Sequence, residues 1–195
     1  MNGRIFGLVV TLVSLAFFAA PALAETGTVE MLGVKFPTEK VVEGKTLKLN
    51  GVAYLKKLGF VKVYASGLYL EQPSHDAETI ITSKQVKYLW HHYLTSKATA
   101  KKLHDGFIEQ IEDSNPKALV EANRQDIEKY ASWLDKDMEP GLTSEAIYVP
   151  GKGVTLIYQG REQGTIPGDT FAEMYFRSNL GENADKTVRE GLLGK

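Results

Sequence analysis

The chain of 195 residues contains no cysteine, and its formal net charge is only −1. Without cysteine it has no disulfide, no thiol nucleophile, no cysteine-ligated metal and no cysteine-linked lipid. The 23 basic and 24 acidic side chains give no basic surplus of the kind that nucleic-acid-binding proteins carry. Hydrophobic residues make up 43% of the chain, which is too much for a disordered protein.

The N-terminal 24 residues have the pattern of a secretory signal peptide. Arg4 is the lone positive charge, residues 5–20 form an apolar run, and Ala22–Ala24 is a small-x-small cleavage site. The run is shorter than the ~20 apolar residues of a membrane span, and no later segment approaches that length. We therefore expect cleavage after Ala24, no stable membrane insertion afterwards, and one soluble domain over residues 25–195. An exported protein without cysteine fits a bacterial periplasm.

The first half of the mature chain has β-strand patterns. Val29–Phe36 predicts an edge strand, and the dipeptide Asn50-Gly51 predicts a hairpin. Gly59–Leu70 is rich in β-branched and aromatic residues on both parities, which predicts a central strand covered on both faces. Gly67 lacks a side chain within that strand and indicates a bulge or a close approach by another group.

One more predicted strand precedes the helices. The side chains of Gln85–Leu94 alternate between the two faces of this strand, which places His91 and His92 on opposite faces. Strands, then helices, then a hairpin and further helices indicate an α+β fold, with a large, mainly antiparallel sheet and a layer of helices on one face. The later predicted elements are a helix over Lys97–Glu112 capped by Thr95 or Ser96, a helical segment from Pro116 to Leu134, strands Thr143–Val149 and Val154–Tyr158, a helix over Thr170–Leu180, and a last short helix that begins at Asn183 or Asp185 and ends near Leu193.

The common catalytic and cofactor motifs are absent from the sequence. The adjacent histidines point apart, no HExxH motif occurs, and we expect no metal site. No nucleophile elbow, Walker loop or dinucleotide-binding glycine run occurs either, so we expect no cofactor. Tyrosines are concentrated near the core strands, which fits either simple core packing or a mostly apolar pocket with a few polar groups.

Several segments resemble the chalcone isomerase superfamily. FVKVYASGLYLE, residues 60–71, is similar to the core strand of that family, and LNGVAY precedes it. Residues 86–107 resemble the family's next strand and its ligand-side helix, and residues 150–194 resemble its closing hairpin and helices. The resemblance covers residues 34–194, and the chain resembles the bacterial exported group of the family more than the plant enzymes. It implies an open-faced β-sandwich, a large antiparallel sheet with a layer of helices.

The resemblance also implies a ligand cleft whose residues have changed here. The plant enzymes close a chalcone with a strand arginine, a core-strand threonine and a helix tyrosine and lysine; non-enzymatic relatives bind fatty acids through an arginine and a tyrosine. The threonine position falls on Tyr64, as in the fatty-acid-binding relatives. The helix positions fall on Thr99 and Lys102. The arginine position falls near Val52, and Lys56 is the nearest cation.

These changes remove most of the donors and cations that the cyclisation needs. We therefore expect a protein without isomerase activity that binds a small amphipathic molecule, such as a fatty acid, between the sheet and the helix at 97–112. The expected ligand-binding residues are Tyr64, Lys102, Thr99, Lys56 and Tyr93. One alternative is an intramolecular lyase or isomerase on an unknown substrate, with Lys102 as the ionisable group in the cleft. Another is a structural or interaction protein with a filled core and no open pocket.

Overall fold

The computed structural model describes residues 27–57 and 59–195. The predicted signal peptide, residues 1–24, lies outside these residues. The strands are β1 (Thr28–Met31), β2 (Val34–Pro37), β3 (Glu39–Val42), β4 (Lys45–Lys57), β5 (Val61–Leu70), β6 (Lys87–Tyr93), β7 (Thr143–Val149), β8 (Gly153–Tyr158) and β9 (Arg161–Ile166). The helices are α1 (Ala77–Thr82), α2 (Ala100–Ser114), α3 (Lys117–Ala122), α4 (Arg124–Ser132), α5 (Asp169–Leu180) and α6 (Lys186–Leu192). No helix in this part of the chain is long and apolar enough to cross a membrane.

Strands β3 to β9 form one sheet in which every strand pairs antiparallel with the next in sequence. Strands β1 and β2 form a separate antiparallel hairpin. The helices pack on one side of the large sheet, and their apolar side chains share a core with it. The α+β fold predicted from the order of the elements is therefore confirmed.

The alternation of side chains along β6 divides the sheet into two faces. Leu89 and Tyr93 belong to the core beneath the helices, which we call the helix face. Tyr88 and Trp90 belong to a second apolar cluster on the opposite side, which we call the hairpin face. Phe36 of β2 packs edge-on against Trp90 there, with ring centroids 5.9 Å apart. The β1–β2 hairpin thus covers part of the face that the helices leave open.

Of the two alternatives predicted at Gly67, a bulge or a close approach, the structure shows the close approach. A Cβ atom added to this residue of β5 would lie 2.7 Å from Cδ1 of Phe36, so only glycine leaves room for the ring. The single edge strand predicted over Val29–Phe36 is wrong, because Leu32 and Gly33 turn the chain between β1 and β2. Their φ angles of 54° and 86° are those of a tight hairpin turn.

The hairpin predicted at Asn50-Gly51 is also wrong, because β4 runs straight through this dipeptide with a shift in its pairing to β5. A Cβ atom at Gly51 would overlap the carbonyl oxygen of Gly191, where α6 packs against the strand. The Asn50 side chain donates a hydrogen bond of 2.8 Å to the carbonyl oxygen of Leu192. The dipeptide therefore joins α6 to the sheet, a role that its local sequence does not reveal.

The helical half of the chain differs from the prediction at two places. Thr99, and not Thr95 or Ser96, caps α2, because its hydroxyl oxygen accepts from the Lys102 amide. The segment predicted as one helix after Pro116 is divided at Asn123 into α3 and α4. The cap moves the start of α2 three residues beyond the predicted start.

Candidate ligand-binding site

A cavity of about 750 Å³ lies between the helix face of the sheet and the helices above it. Strands β4 to β8 form one wall, and α2, α4 and α5 contribute to the other. Its volume is within the range of small-molecule pockets, roughly 300–1,000 Å³. The alternative of a filled core without an open pocket does not agree with this cavity.

The cavity exists because part of the helical layer carries small and polar side chains. Gly106, Gln110 and Ser114 form a stripe along α2 at a spacing of four residues, and all three line the cavity. A Cβ atom added to Gly106 would meet no atom within 4 Å. In contrast, α5 fills its part of the same core with Phe171 and Phe176, which are at most 1% exposed. The unfilled volume therefore lies mainly beneath α2.

The buried part of the cavity wall combines apolar side chains with polar ones that carry no charge. Burial lowers the pKa of His91 to about 4, and the neighbouring His92 adds to this effect, so the imidazole is neutral at pH 7. Burial raises the pKa of Tyr93 to about 12, although the facing Ser144 hydroxyl opposes this shift. Burial also raises the pKa of Tyr64, with smaller contributions from negative charge on its neighbours. These phenols are therefore protonated and can donate or accept hydrogen bonds.

The charged residues that line the cavity in the described part of the chain are all exposed to solvent and lie at its mouth. The basic ones lie on β4 and near the beginning of α2, whereas the acidic ones lie towards the end of α2 and before α6. Along α2, Lys102 and Glu109 are two turns apart, about 10 Å along the helix axis. The basic residues are Lys57, Lys97 and Lys102, and the acidic residues are Glu109, Asp113 and Asp185.

Three of the five expected ligand-binding residues, Tyr64, Tyr93 and Lys102, line the cavity. Tyr64 and Tyr93 are paired across β5 and β6, and their ring centroids are 5.9 Å apart. Lys102 is exposed at the mouth, where its Nζ atom donates to the carbonyl oxygen of Lys97 at 3.2 Å. The solvent exposure of Lys102 weakens the lyase alternative, which requires a buried ionisable group in the cleft.

Thr99 and Lys56 are not among the described residues that line the cavity. The Thr99 hydroxyl is engaged in capping α2. Lys56 is exposed, and its Nζ atom lies 4.9 Å from the centroid of the Tyr54 ring. Leu55 and Lys57 point towards the cavity, so the alternation of the strand turns Lys56 away from it. A direct ligand contact of any of the five residues remains a prediction.

His91 and Ser144 line the cavity but were absent from the expected site. His91 pairs directly with Ser144 on β7 and with Ser66 on β5. Its ring centroid lies 4.5 Å from that of Tyr64, and its Nδ1 atom has no hydrogen-bond partner among the described residues. The signal was available, because the alternation of β6 already placed His91 on the same face as Tyr93.

The chain belongs to the chalcone isomerase-like family, whose model matches residues 28–194. Among solved structures, a fatty-acid-binding protein of Arabidopsis thaliana is similar, with a TM-score of 0.70 and 16% sequence identity. The matched region covers 86% of this chain and 96% of the Arabidopsis chain. At this identity, the likeness establishes the shared fold alone. A comparison with curated protein sequences finds no match.

Proposed function

We propose that this protein binds a small amphipathic molecule in the cavity between the sheet and α2. The observation that carries the proposal is a cavity of about 750 Å³ with apolar and uncharged polar groups inside and charged groups at its mouth. An apolar chain would be removed from water inside the cavity, which is the main source of affinity for such ligands. Because the similar Arabidopsis protein is a fatty-acid-binding protein, long-chain fatty acids are suitable first probes.

The proposal does not include isomerase activity. Cyclisation of a chalcone requires fixed donors and cations that stabilise the developing negative charge. The strand that would supply the arginine, β4, has lysines as its only basic residues, and Lys56 does not line the cavity. The resemblance places the family's helix tyrosine position at Thr99, whose hydroxyl caps α2. We expect that the purified protein does not accelerate the loss of chalcone absorbance above the rate in buffer, and acceleration would contradict this part of the proposal.

Native mass spectrometry of the mature protein with an equimolar mixture of long-chain lipids tests the binding proposal. We expect a 1:1 complex, followed by solvent extraction and identification of the bound molecule. Gly106→Trp should abolish the complex, because its side chain would project into the cavity. Lys101→Trp is the matched control, because the Lys101 side chain is 83% exposed on the same helix. Recovery of only unliganded protein, or equal binding by both variants, would contradict the proposal.

We also propose that the protein is exported to a periplasm, as a member of the exported bacterial group of this family. The support is the signal-peptide pattern of residues 1–24. Expression of the full chain in a Gram-negative host, followed by N-terminal sequencing of the periplasmic fraction, should give a mature chain that begins at Glu25. An unprocessed chain in the cytoplasm or the membrane would contradict this expectation.

A further inference from the structure

The buried end of the cavity has a hydrogen-bonding surface made by three neighbouring strands, which we call the cavity floor. It consists of Tyr64 on β5, His91 and Tyr93 on β6 and Ser144 on β7. Tyr64 faces Tyr93 and His91 faces Ser144 in the strand register. The Tyr64 ring lies 4.5 Å from the His91 ring and 5.9 Å from the Tyr93 ring. The four side chains therefore form one continuous patch.

The cavity floor can both donate and accept hydrogen bonds. A neutral imidazole has one donor and one acceptor nitrogen, and each hydroxyl has a donor and two acceptor lone pairs. His91 is buried, and its Nδ1 atom has no partner among the described residues. A ligand group that is itself both donor and acceptor matches the hydroxyls of Tyr64, Tyr93 and Ser144 best, whereas the Nδ1 atom of His91 is enclosed by protein.

The cavity floor lacks a cation that could neutralise a ligand carboxylate. The lysines that line the cavity in the described part of the chain are exposed at its mouth. Lys87 is a buried cation on the same face, but its Nζ atom donates to the Ile81 carbonyl oxygen at 2.9 Å and lies against the Tyr148 and Phe176 rings, outside the cavity lining. A carboxylate on the floor would lose its hydration without gaining an ion pair.

We propose that the ligand places an uncharged polar group, such as a hydroxyl, carbonyl or amide, against the cavity floor. This inference rests on the proposed function of the cavity and specifies the class of its ligand. An anionic group would instead remain at the mouth, where Lys57, Lys97 and Lys102 lie. The preferred ligand is therefore an uncharged amphiphile, in contrast to a fatty-acid anion held by a buried cation.

The experiment is a competition between hexadecan-1-ol and hexadecanoate, which share the same chain length. The mature protein is incubated with both in equal amounts at pH 8, reisolated and extracted, and the bound fractions are quantified. We expect the alcohol to exceed the acid by roughly tenfold or more, because the carboxylate would lose its hydration at the floor without gaining an ion pair. Equal or preferential binding of hexadecanoate would overturn the inference but leave the proposed function intact. Binding of neither would overturn both.

A pair of variants shows whether the cavity floor causes the preference. His91→Phe keeps an aromatic ring but removes both ring nitrogens, and it should reduce the preference for the alcohol severalfold. His92→Phe is the matched control, because His92 is adjacent in sequence but packs against Phe36 on the hairpin face. Ser144→Ala provides a second, smaller change to the floor if His91→Phe does not fold. An unchanged preference in both floor variants would overturn the assignment to the floor.

Discussion

The two faces of the seven-stranded sheet are covered in different ways, and β6 contributes one of two adjacent histidines to each. On the hairpin face, Phe36 lies edge-on to both Trp90 and His92, with centroid distances of 5.9 and 5.5 Å. On the helix face, His91 borders a cavity of about 750 Å³. The small hairpin covers part of its face with a single large ring, whereas the longer helical layer leaves a cavity. The function we propose therefore belongs to the helix face.

The two faces also differ in where their charged side chains lie and in what those side chains contact. On the hairpin face, Lys40 donates a hydrogen bond of 2.7 Å to the Tyr88 hydroxyl, which donates another of 2.7 Å to Glu145. These opposite charges are thus linked through one phenol. On the helix face, the charged residues that line the cavity lie at its mouth, and the floor is neutral. The larger apolar core lies on the helix face, so the proposed binding cavity is enclosed by the part of the fold that also buries most apolar side chains.

The largest expected effect is the loss of stability when Phe36, rather than Phe107, is replaced by alanine. Phe36→Ala should lower the free energy of unfolding by about 3–5 kcal/mol, because the ring is fully buried between the hairpin and the sheet. Phe107→Ala on α2 should cost less, because Phe107 is only half-buried and borders the cavity. Urea denaturation of both variants measures the difference. An equal loss would mean that the two faces are packed equally well.

The second prediction concerns acid stability. Folded His91 has a pKa of about 4 against its usual 6.5, so the unfolded chain binds more protons between these values. The free energy of unfolding should therefore be highest above pH 6.5 and fall by up to about 3 kcal/mol as the pH approaches 4. Denaturation curves from pH 4 to 8 should show a smaller fall for His91→Phe. If the free energy of unfolding of His91→Phe fell with pH as steeply as that of the original protein, His91 would not be the cause of the acid sensitivity.

The third prediction compares two glycines. Gly67→Ala should destabilise the protein by about 1–3 kcal/mol, because its Cβ atom would lie 2.7 Å from Phe36 and 3.2 Å from Tyr69. Gly106→Ala should stabilise α2 by about 0.5–1 kcal/mol, because the added methyl group meets no atom within 4 Å. Thermal unfolding shows whether each variant is less or more stable than the original protein. Destabilisation by Gly106→Ala would argue against open space beneath α2.

The smallest expected effect lies at the mouth of the cavity. Lys102→Gln should weaken the binding of hexadecanoate by no more than about fivefold, because an exposed ion pair contributes at most about 1 kcal/mol. Binding of hexadecan-1-ol should be unchanged. A titration of each ligand at low and high salt tests this, since salt should remove the difference. A much larger loss would place the carboxylate in a buried ion pair with Lys102.

The sequence predicted those features of the fold that depend on neighbouring residues. The alternation of β6 assigned His91 and His92 to opposite faces, and the missing side chain of Gly67 indicated the close approach that Phe36 makes. The hairpin predicted at Asn50-Gly51 was wrong because this dipeptide contacts α6, which lies about 140 residues later in the chain. A short motif carries no signal for a contact that distant.

The candidate site was predicted only in part for the same reason. The resemblance identified Tyr64 and Lys102, and both line the cavity. Thr99 is not among the described residues that line the cavity; it caps α2, and the sequence did not show which of several adjoining hydroxyls would do so. The cavity volume depends on small residues of α2 lying above a wide sheet, so it follows from packing across the fold and not from any one segment.

The most direct test of the account follows the imidazole rings of His91 and His92 by ¹⁵N–¹H NMR. The protein is titrated with an equimolar mixture of hexadecan-1-ol and hexadecanoic acid, and single His→Phe variants assign the ring signals. We predict that the His91 signals shift to a saturated position while the His92 signals stay unchanged. Shifts confined to His92, or saturation without any shift at His91, would contradict a ligand site on the helix face.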